Sequence, residues 1–149
     1  MEVTLRINKE SVFDEVAMTA EYTGAKMADE TAYERISLTD ENREILNRFW
    51  NESKTLICGH LKRMFISEED SESEDIYHLS LELSESFGSQ LTTNLQNSLH
   101  HFFVANIISK WYALTNKEEA AGYATAAASY IEEIMRKAYS KEKPSRPSF

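Results

Sequence analysis

Four histidines and one cysteine are the side chains of this sequence best suited to bind a metal or attack a substrate. They are His60, His78, His100, His101 and Cys58. A zinc site needs three or four ligands that converge. A helix would point the neighbours His100 and His101 about 100° apart, and Cys58 and His60 would not face each other on a helix. The sequence therefore predicts no metal site and no catalytic nucleophile.

The most acidic stretch, residues 67–75 (SEEDSESED), carries carboxylates that could hold a cation. A calcium loop also needs fixed ligand spacing and a turn-forming glycine, and this stretch contains no glycine. It offers no apolar side chain to bury, so it predicts a solvated, mobile loop. Glu132 and Glu133 are likewise predicted to face solvent. The four glycines are isolated, which argues against a phosphate-binding loop; we predict no cofactor and no enzymatic activity.

The composition is typical of one compact domain. The chain has 149 residues, of which 42% are hydrophobic and 11% aromatic, enough for a sizeable core. A net charge of −9 argues against nucleic acid as the main partner. The single cysteine fits a reducing cytoplasm. The first residues lack an apolar leader and no apolar run reaches about 18–20 residues, so we expect neither secretion nor a membrane partner.

The secondary-structure elements that position these candidate residues are predicted from two different spacings of apolar side chains. Residues 2–8 and 77–84 alternate apolar and polar side chains, which predicts a two-stranded β-ribbon. Helical spacing runs through residues 11–27, 39–66, 88–114 and 117–139. Asn8 or Ser11, Thr39 and Asn116 are the predicted N-caps, and the short link at Asn116 predicts an antiparallel helical hairpin.

The fold class is therefore mostly α: a four-helix bundle-like domain with a small two-stranded β-ribbon and a flexible basic tail. The single helical domain is predicted to span residues 1–143 and to contain the acidic loop. Both prolines, Pro144 and Pro147, lie in the last six residues, so residues 144–149 are predicted to be disordered.

Aromatic residues crowd the last two predicted helices. Phe102 with Phe103, and Trp111 with Tyr112, are neighbours that a helix points about 100° apart. A small core has difficulty covering so wide a stripe, so part of the set is predicted to be an exposed partner surface. Basic residues near the end of the chain extend this surface. The predicted interaction surface consists of Phe103, Tyr112, Tyr123, Tyr130, Arg136, Lys137, Lys141, Lys143 and Arg146.

Several segments carry a resemblance to a known class of proteins. They are EVTLRINKESVFDEVAMTAEYTGAK, LTDENREILNRFW, IYHLSLELS, HHFFVANIISKWYALTNKEEAAGYATAAASYIEEIMRKAY and KPSRP. The chain resembles, over nearly its whole length, small virion structural proteins of tailed phages and prophages in gut Bacteroides-type bacteria. The resemblance implies a neck- or tail-region component, located in the bacterial host cytoplasm and in the virion. It implies no catalytic residues.

Two functional hypotheses follow. The first is a non-enzymatic structural or assembly subunit, such as a head–tail connector or neck protein, that forms a homo-oligomer or binds other virion proteins. The alternative is a regulatory or adaptor protein of a mobile element that holds a partner helix in an aromatic groove. An enzyme would instead require a cavity that gathers His60, His100 or glutamates.

Overall fold

The computed structural model describes residues 1–26, 38–71, 75–85 and 87–139. Its elements in chain order are β1 (Glu2–Asn8), α1 (Lys9–Lys26), α2 (Arg43–His60), β2 (Phe65–Ser71), β3 (Ile76–Glu82), α3 (Thr92–Thr115) and α4 (Lys117–Ala138). The expectation of a mostly helical chain with a small antiparallel sheet is confirmed. The bundle-like arrangement stays a prediction, and the predicted connection at 28–37 and the tail at 144–149 lie outside the described residues.

The sheet has one more strand than the sequence predicted. β1 and β3 pair antiparallel with Leu5 opposite Leu79, which confirms the predicted ribbon. β2 adds to the other side of β3, so the strand order is β1-β3-β2. The expectation of two strands was wrong, because β2 lies in a segment whose acidic composition argued for a loop.

The acidic segment is the clearest correction. Within the predicted loop 67–75, residues up to Ser71 belong to β2. Glu68 lies opposite Leu79 and Asp70 opposite Tyr77, so both carboxylates lie on the inner face of the sheet, the face that packs on the helices. The two carboxylates are stabilised there by hydrogen bonds. Trp50 and Lys54 donate to Asp70 at 3.0 and 2.8 Å, and Tyr77 donates to Glu68.

Local hydrogen bonds fix where the helices begin and end. Asn8 caps α1, since its Oδ1 accepts the amide of Ser11 at 3.0 Å. The second helix was predicted from Thr39 to residue 66 and is shorter. A 3₁₀ turn at Asp40–Asn42 precedes it, and Asn42 Oδ1 accepts the Thr39 amide at 2.9 Å. After His60 the chain turns into β2, because its backbone there pairs with β3. The third and fourth helices match the predicted spans to within a few residues.

Helix α3 is the centre of the core. Residues 102–109 along it are all buried, so it is surrounded by other elements rather than lying on a surface. Its Asn106 amide donates to Ser53 Oγ of α2 at 2.7 Å inside the core. α4 runs antiparallel to α3, which confirms the predicted hairpin. Three contacts show the antiparallel direction: Ser98 with Lys137, His101 with Tyr130, and Tyr112 with Tyr123.

Trp50 of α2 joins four elements. Its ring stacks on Phe103 of α3, with centroids 4.4 Å apart, and meets the edges of Phe13 of α1 and Tyr77 of β3 at 6.1 and 6.0 Å. Its indole N–H reaches Asp70 of β2. Trp50 is fully buried, so it is a shared contact of three helices and the sheet.

Candidate functional site

A groove between α1 and α4 is the first feature that could receive a partner. Its floor is the side of α3, and it encloses a cavity of about 230 Å³. It is called the α1–α4 groove below, and its lining residues are Glu15, Thr19, His101, Val104, Ala105, Ile108, Tyr123, Ala126 and Tyr130. The floor is apolar, the α4 wall is aromatic, and the lining contains one carboxylate and no lysine or arginine.

The two tyrosines of the α4 wall are held by contacts with α3. Tyr130 stacks on the His101 ring with centroids 5.6 Å apart and 30° between planes. Tyr123 meets the edge of Tyr112 at 5.4 Å. Burial raises the pKa of the Tyr123 hydroxyl, so this residue stays neutral. Both tyrosines are half-buried, and the structure therefore presents two rigid aromatic side chains that a partner can contact.

The α1 wall adds exposed apolar side chains. Glu15, Met18 and Tyr22 are spaced i, i+3 and i+7, so they share one face of α1. Met18 is 65% exposed and Tyr22 is 61% exposed. Both side chains therefore leave apolar surface accessible on the face of α1 that also carries Glu15.

Two of the aromatic residues predicted to be on the interaction surface are not on it. Phe103 and Tyr112 are both 0% exposed, so their assignment to a partner surface was wrong. Trp50 covers Phe103, and α1 and Tyr123 cover Tyr112. A hairpin of two helices alone would leave one side of α3 open, but in this chain other elements pack against that side. Tyr123 and Tyr130 remain accessible.

The predicted basic residues are placed differently from one another. Arg136 is exposed on α4. Lys137 is half-buried: its ammonium donates to Ser98 Oγ at 2.7 Å and pairs with Glu133 at 2.8 Å, and the hydrogen bond from Lys137 lowers the pKa of Glu133. Lys137 therefore ties α4 to α3, and its assignment to a free surface was wrong. Lys141, Lys143 and Arg146 lie outside the described residues.

A cluster of ligating groups lies at one end of the α1–α4 groove. Glu15, His100 and His101 place one ligand atom each within 4.8 Å of one another. His100 Nε2 and Glu15 Oε1 are 3.1 Å apart. The sequence argument compared the directions of the two histidines along a single helix and did not include Glu15, which α1 contributes. No local spacing signals this cluster, since it spans 85 residues of chain.

The cysteine belongs to a second polar group, between α2 and the sheet. Cys58 Sγ lies 3.2 Å from Tyr77 Oη and 3.4 Å from a Glu68 oxygen, and the Tyr77 hydroxyl donates to that same carboxylate. Burial, followed by the neighbouring Glu68 charge, raises the pKa of the Cys58 thiol to about 11. Burial also raises the pKa of Tyr77 far above its usual range.

Cys58 is therefore expected to be unreactive. Only the thiolate attacks a disulfide, and a thiol with a pKa of about 11 in place of 9.0 has a much smaller thiolate fraction at pH 7.5, so it should react with Ellman's reagent more slowly than an ordinary thiol by roughly tenfold or more. The rate should rise with pH through the whole accessible range. The same protein unfolded in guanidinium is the control, and equal rates in the two states would contradict the burial of this thiol.

A second cavity, of about 590 Å³, is polar. Its lining residues are Lys9, Arg43, Asn47, Asn51, Lys54, Asp70 and Asp75. Arg43 is paired with Glu10 and Lys54 with Asp70, and the Lys9 ammonium lies over the Phe13 and Trp50 rings. Since these cations already have partners in the chain, the cavity does not select a ligand. His60 lies elsewhere, beside a shallow hollow with Leu56 and Gly59.

No protein-family model, curated protein or solved structure matches this chain. None of the helices in the described ranges is both long enough and apolar enough to span a bilayer.

Proposed function

We propose that this chain is a non-enzymatic assembly subunit that associates with copies of itself through the α1–α4 groove. In this proposal a bundle-like helical body carries the small sheet, and residues 140–149 add a basic segment. The resemblance to phage and prophage virion proteins supplies the setting, a neck or head–tail connector that is made in a bacterial host cytoplasm and then incorporated into the particle.

The α1–α4 groove is the observation that carries the proposal. Tyr123 and Tyr130 stand beside an apolar floor, and Met18 and Tyr22 leave apolar surface exposed on the face of α1 that carries Glu15. Tyrosine and methionine are enriched at protein interfaces, because they supply large contact areas. Exposed apolar surface that gathers in one region is typical of interaction sites.

The proposed occupant is the segment 140–149 of a neighbouring copy. Its three basic residues and one acid give it a net charge of +2, which leaves −11 for residues 1–139 of a chain whose total is −9. Opposite charges of this size attract the segment to the acidic body of the next subunit. Pro144 and Pro147 are spaced P-x-x-P, and segments with that spacing dock as extended helices in aromatic grooves.

A contact between the groove of one copy and the segment of the next is heterologous, because it uses two different surfaces. Repeating such a contact produces a closed ring when the rotation between neighbours allows it. Rings of small subunits are what a connector or neck requires. The number of subunits follows from that rotation and is an outcome of the experiment.

Native mass spectrometry and light scattering test this proposal on the full chain. The wild type is expected to form an oligomer that dissociates as salt is raised, because salt screens the charges. The variants Tyr130→Ser with Met18→Ser, and Lys141→Ser with Lys143→Ser and Arg146→Ser, should both be monomeric. Leu114→Ser is the matched control, since Leu114 is 64% exposed but does not line the groove; this variant should assemble normally. A wild type that stays monomeric at every accessible concentration would rule out self-assembly.

The alternative function, an adaptor that holds a partner helix, is favoured by the position of the groove between two helices. Apolar grooves of this kind accept the apolar face of an amphipathic helix. The adaptor predicts a monomeric wild type that binds a helical peptide, and it predicts that Tyr130→Ser weakens this binding while the three basic-residue substitutions leave it unchanged.

A further inference from the structure

We propose that Glu15, His100 and His101 form a binding site for a divalent transition-metal ion of the zinc class. The site joins α1 to α3 and opens on the end of the α1–α4 groove. This inference rests on the three side chains alone and holds whether or not the chain assembles as proposed above.

The ligand atoms are close to the separation that a metal imposes. Zinc is bound by imidazole nitrogens and carboxylate oxygens at about 2.0–2.2 Å, so atoms sharing one ion lie roughly 3–3.5 Å apart. Glu15 Oε1 and His100 Nε2 already lie 3.1 Å apart, and all three ligand atoms fit within 4.8 Å. Glu15 is exposed, so its carboxylate can turn toward both rings without moving a helix.

The rings approach the carboxylate from two directions. His100 and His101 have centroids 5.6 Å apart and planes at 79°, which lets neighbouring residues of one helix point a nitrogen toward a shared third ligand. Stacking on Tyr130 holds the His101 ring. A hydrogen bond between Glu15 and His100 alone would explain two members of the cluster, but not the convergence of His101.

The ligand set and the surroundings both suit zinc. Two imidazoles and one carboxylate are borderline ligands that favour zinc and its neighbours over calcium or magnesium. Three protein ligands leave a fourth position for water or for a group of a docked partner. Glu15 and His101 line the groove, whose lining contains no lysine or arginine to repel a cation.

Calorimetric titration with zinc chloride, and cobalt(II) absorption as a spectroscopic readout, test the site on the full chain. The wild type should bind one ion and gain the visible bands of cobalt bound to nitrogen and oxygen. Glu15→Gln, His100→Gln and His101→Gln should each weaken zinc binding by about tenfold or more, the scale seen when metal sites lose a supporting group. His60→Gln and His78→Gln are the matched controls, since each removes one histidine outside the cluster; their affinity should stay within about twofold.

A measurement on the wild type alone keeps the test independent of folding in the variants. In NMR spectra, zinc should shift the side-chain signals of His100 and His101 and leave those of His60 and His78 unchanged. Zinc should also raise the thermal midpoint, because binding favours the folded state that holds α1 and α3 together. No binding at 100 µM zinc, or equal losses in the cluster variants and in the controls, would overturn the proposal.

Discussion

Trp50→Ala is expected to lower the free energy of unfolding by about 3–5 kcal/mol, the usual cost of removing a buried tryptophan or phenylalanine ring. Trp50 is fully buried and contacts Phe13, Tyr77 and Phe103, which belong to three different elements. Removing it leaves a cavity where α1, α2, α3 and the sheet meet. It also leaves the Asp70 carboxylate without the indole N–H that it accepts.

Urea unfolding followed by circular dichroism measures this change. Leu114→Ala is the control: Leu114 is 64% exposed on α3, so it should change stability by no more than about 0.5 kcal/mol. Trp50→Phe should lose less than Trp50→Ala, because a ring still fills most of the site. A Trp50→Ala protein as stable as the control would mean that the aromatic cluster does not hold the sheet on the helices.

Asp70→Ala is expected to cost about 2–4 kcal/mol at pH 7, slightly less than breaking a fully buried ion pair. Lys54 pairs with Asp70 at 2.8 Å, and their side chains are only 15% and 21% exposed. The substitution leaves the Lys54 ammonium and the Trp50 N–H unpaired in a largely dry place. It also removes one of the charges that keep the edge strand β2 from pairing with other chains.

The pH dependence distinguishes this ion pair from simple packing. Burial alone would raise the pKa of Asp70, but the hydrogen bonds from Lys54 and Trp50 outweigh it and hold the pKa below the ordinary value of 3.8. The pair therefore stabilises the fold fully above pH 3.8, and this contribution is lost as pH falls through the lowered pKa of the folded state. The stability difference between wild type and Asp70→Ala should shrink over that acidic range.

Glu69→Ala is the matched control on the same strand. Glu69 lies opposite His78 and is exposed on the outer face of the sheet. Glu69→Ala should therefore change the free energy of unfolding by less than about 0.5 kcal/mol, both at pH 7 and in the acidic range. If Asp70→Ala and Glu69→Ala behaved alike, β2 would not be docked on α2 through Asp70.

The two proposals meet at the α1–α4 groove without depending on each other. The groove supplies an apolar floor and two tyrosines. The Glu15–His100–His101 cluster lies at one end of it. If both proposals hold, the open coordination position of the metal faces the segment that docks in the groove, and zinc should strengthen assembly.

Most of the fold could be predicted from local pattern. The period of apolar residues located the four helices of the described residues, and strict alternation located β1 and β3, because these features depend on neighbours a few residues away. Asn8 and Asn116 were recognised as helix boundaries for the same reason. Tyr123 and Tyr130 are half-buried, and their assignment to an interaction surface stays a prediction.

The rest of the fold depends on contacts between residues that are far apart in the sequence. β2 formed in an acidic segment because Trp50, Lys54 and Tyr77 were there to receive Glu68 and Asp70, and composition says nothing of such partners. Phe103 and Tyr112 were buried because α1, α2 and the sheet all pack around α3. The Glu15–His100 contact joins residues 85 positions apart. Local spacing sets which way a side chain points from its helix, whereas the packing of helices sets what it meets.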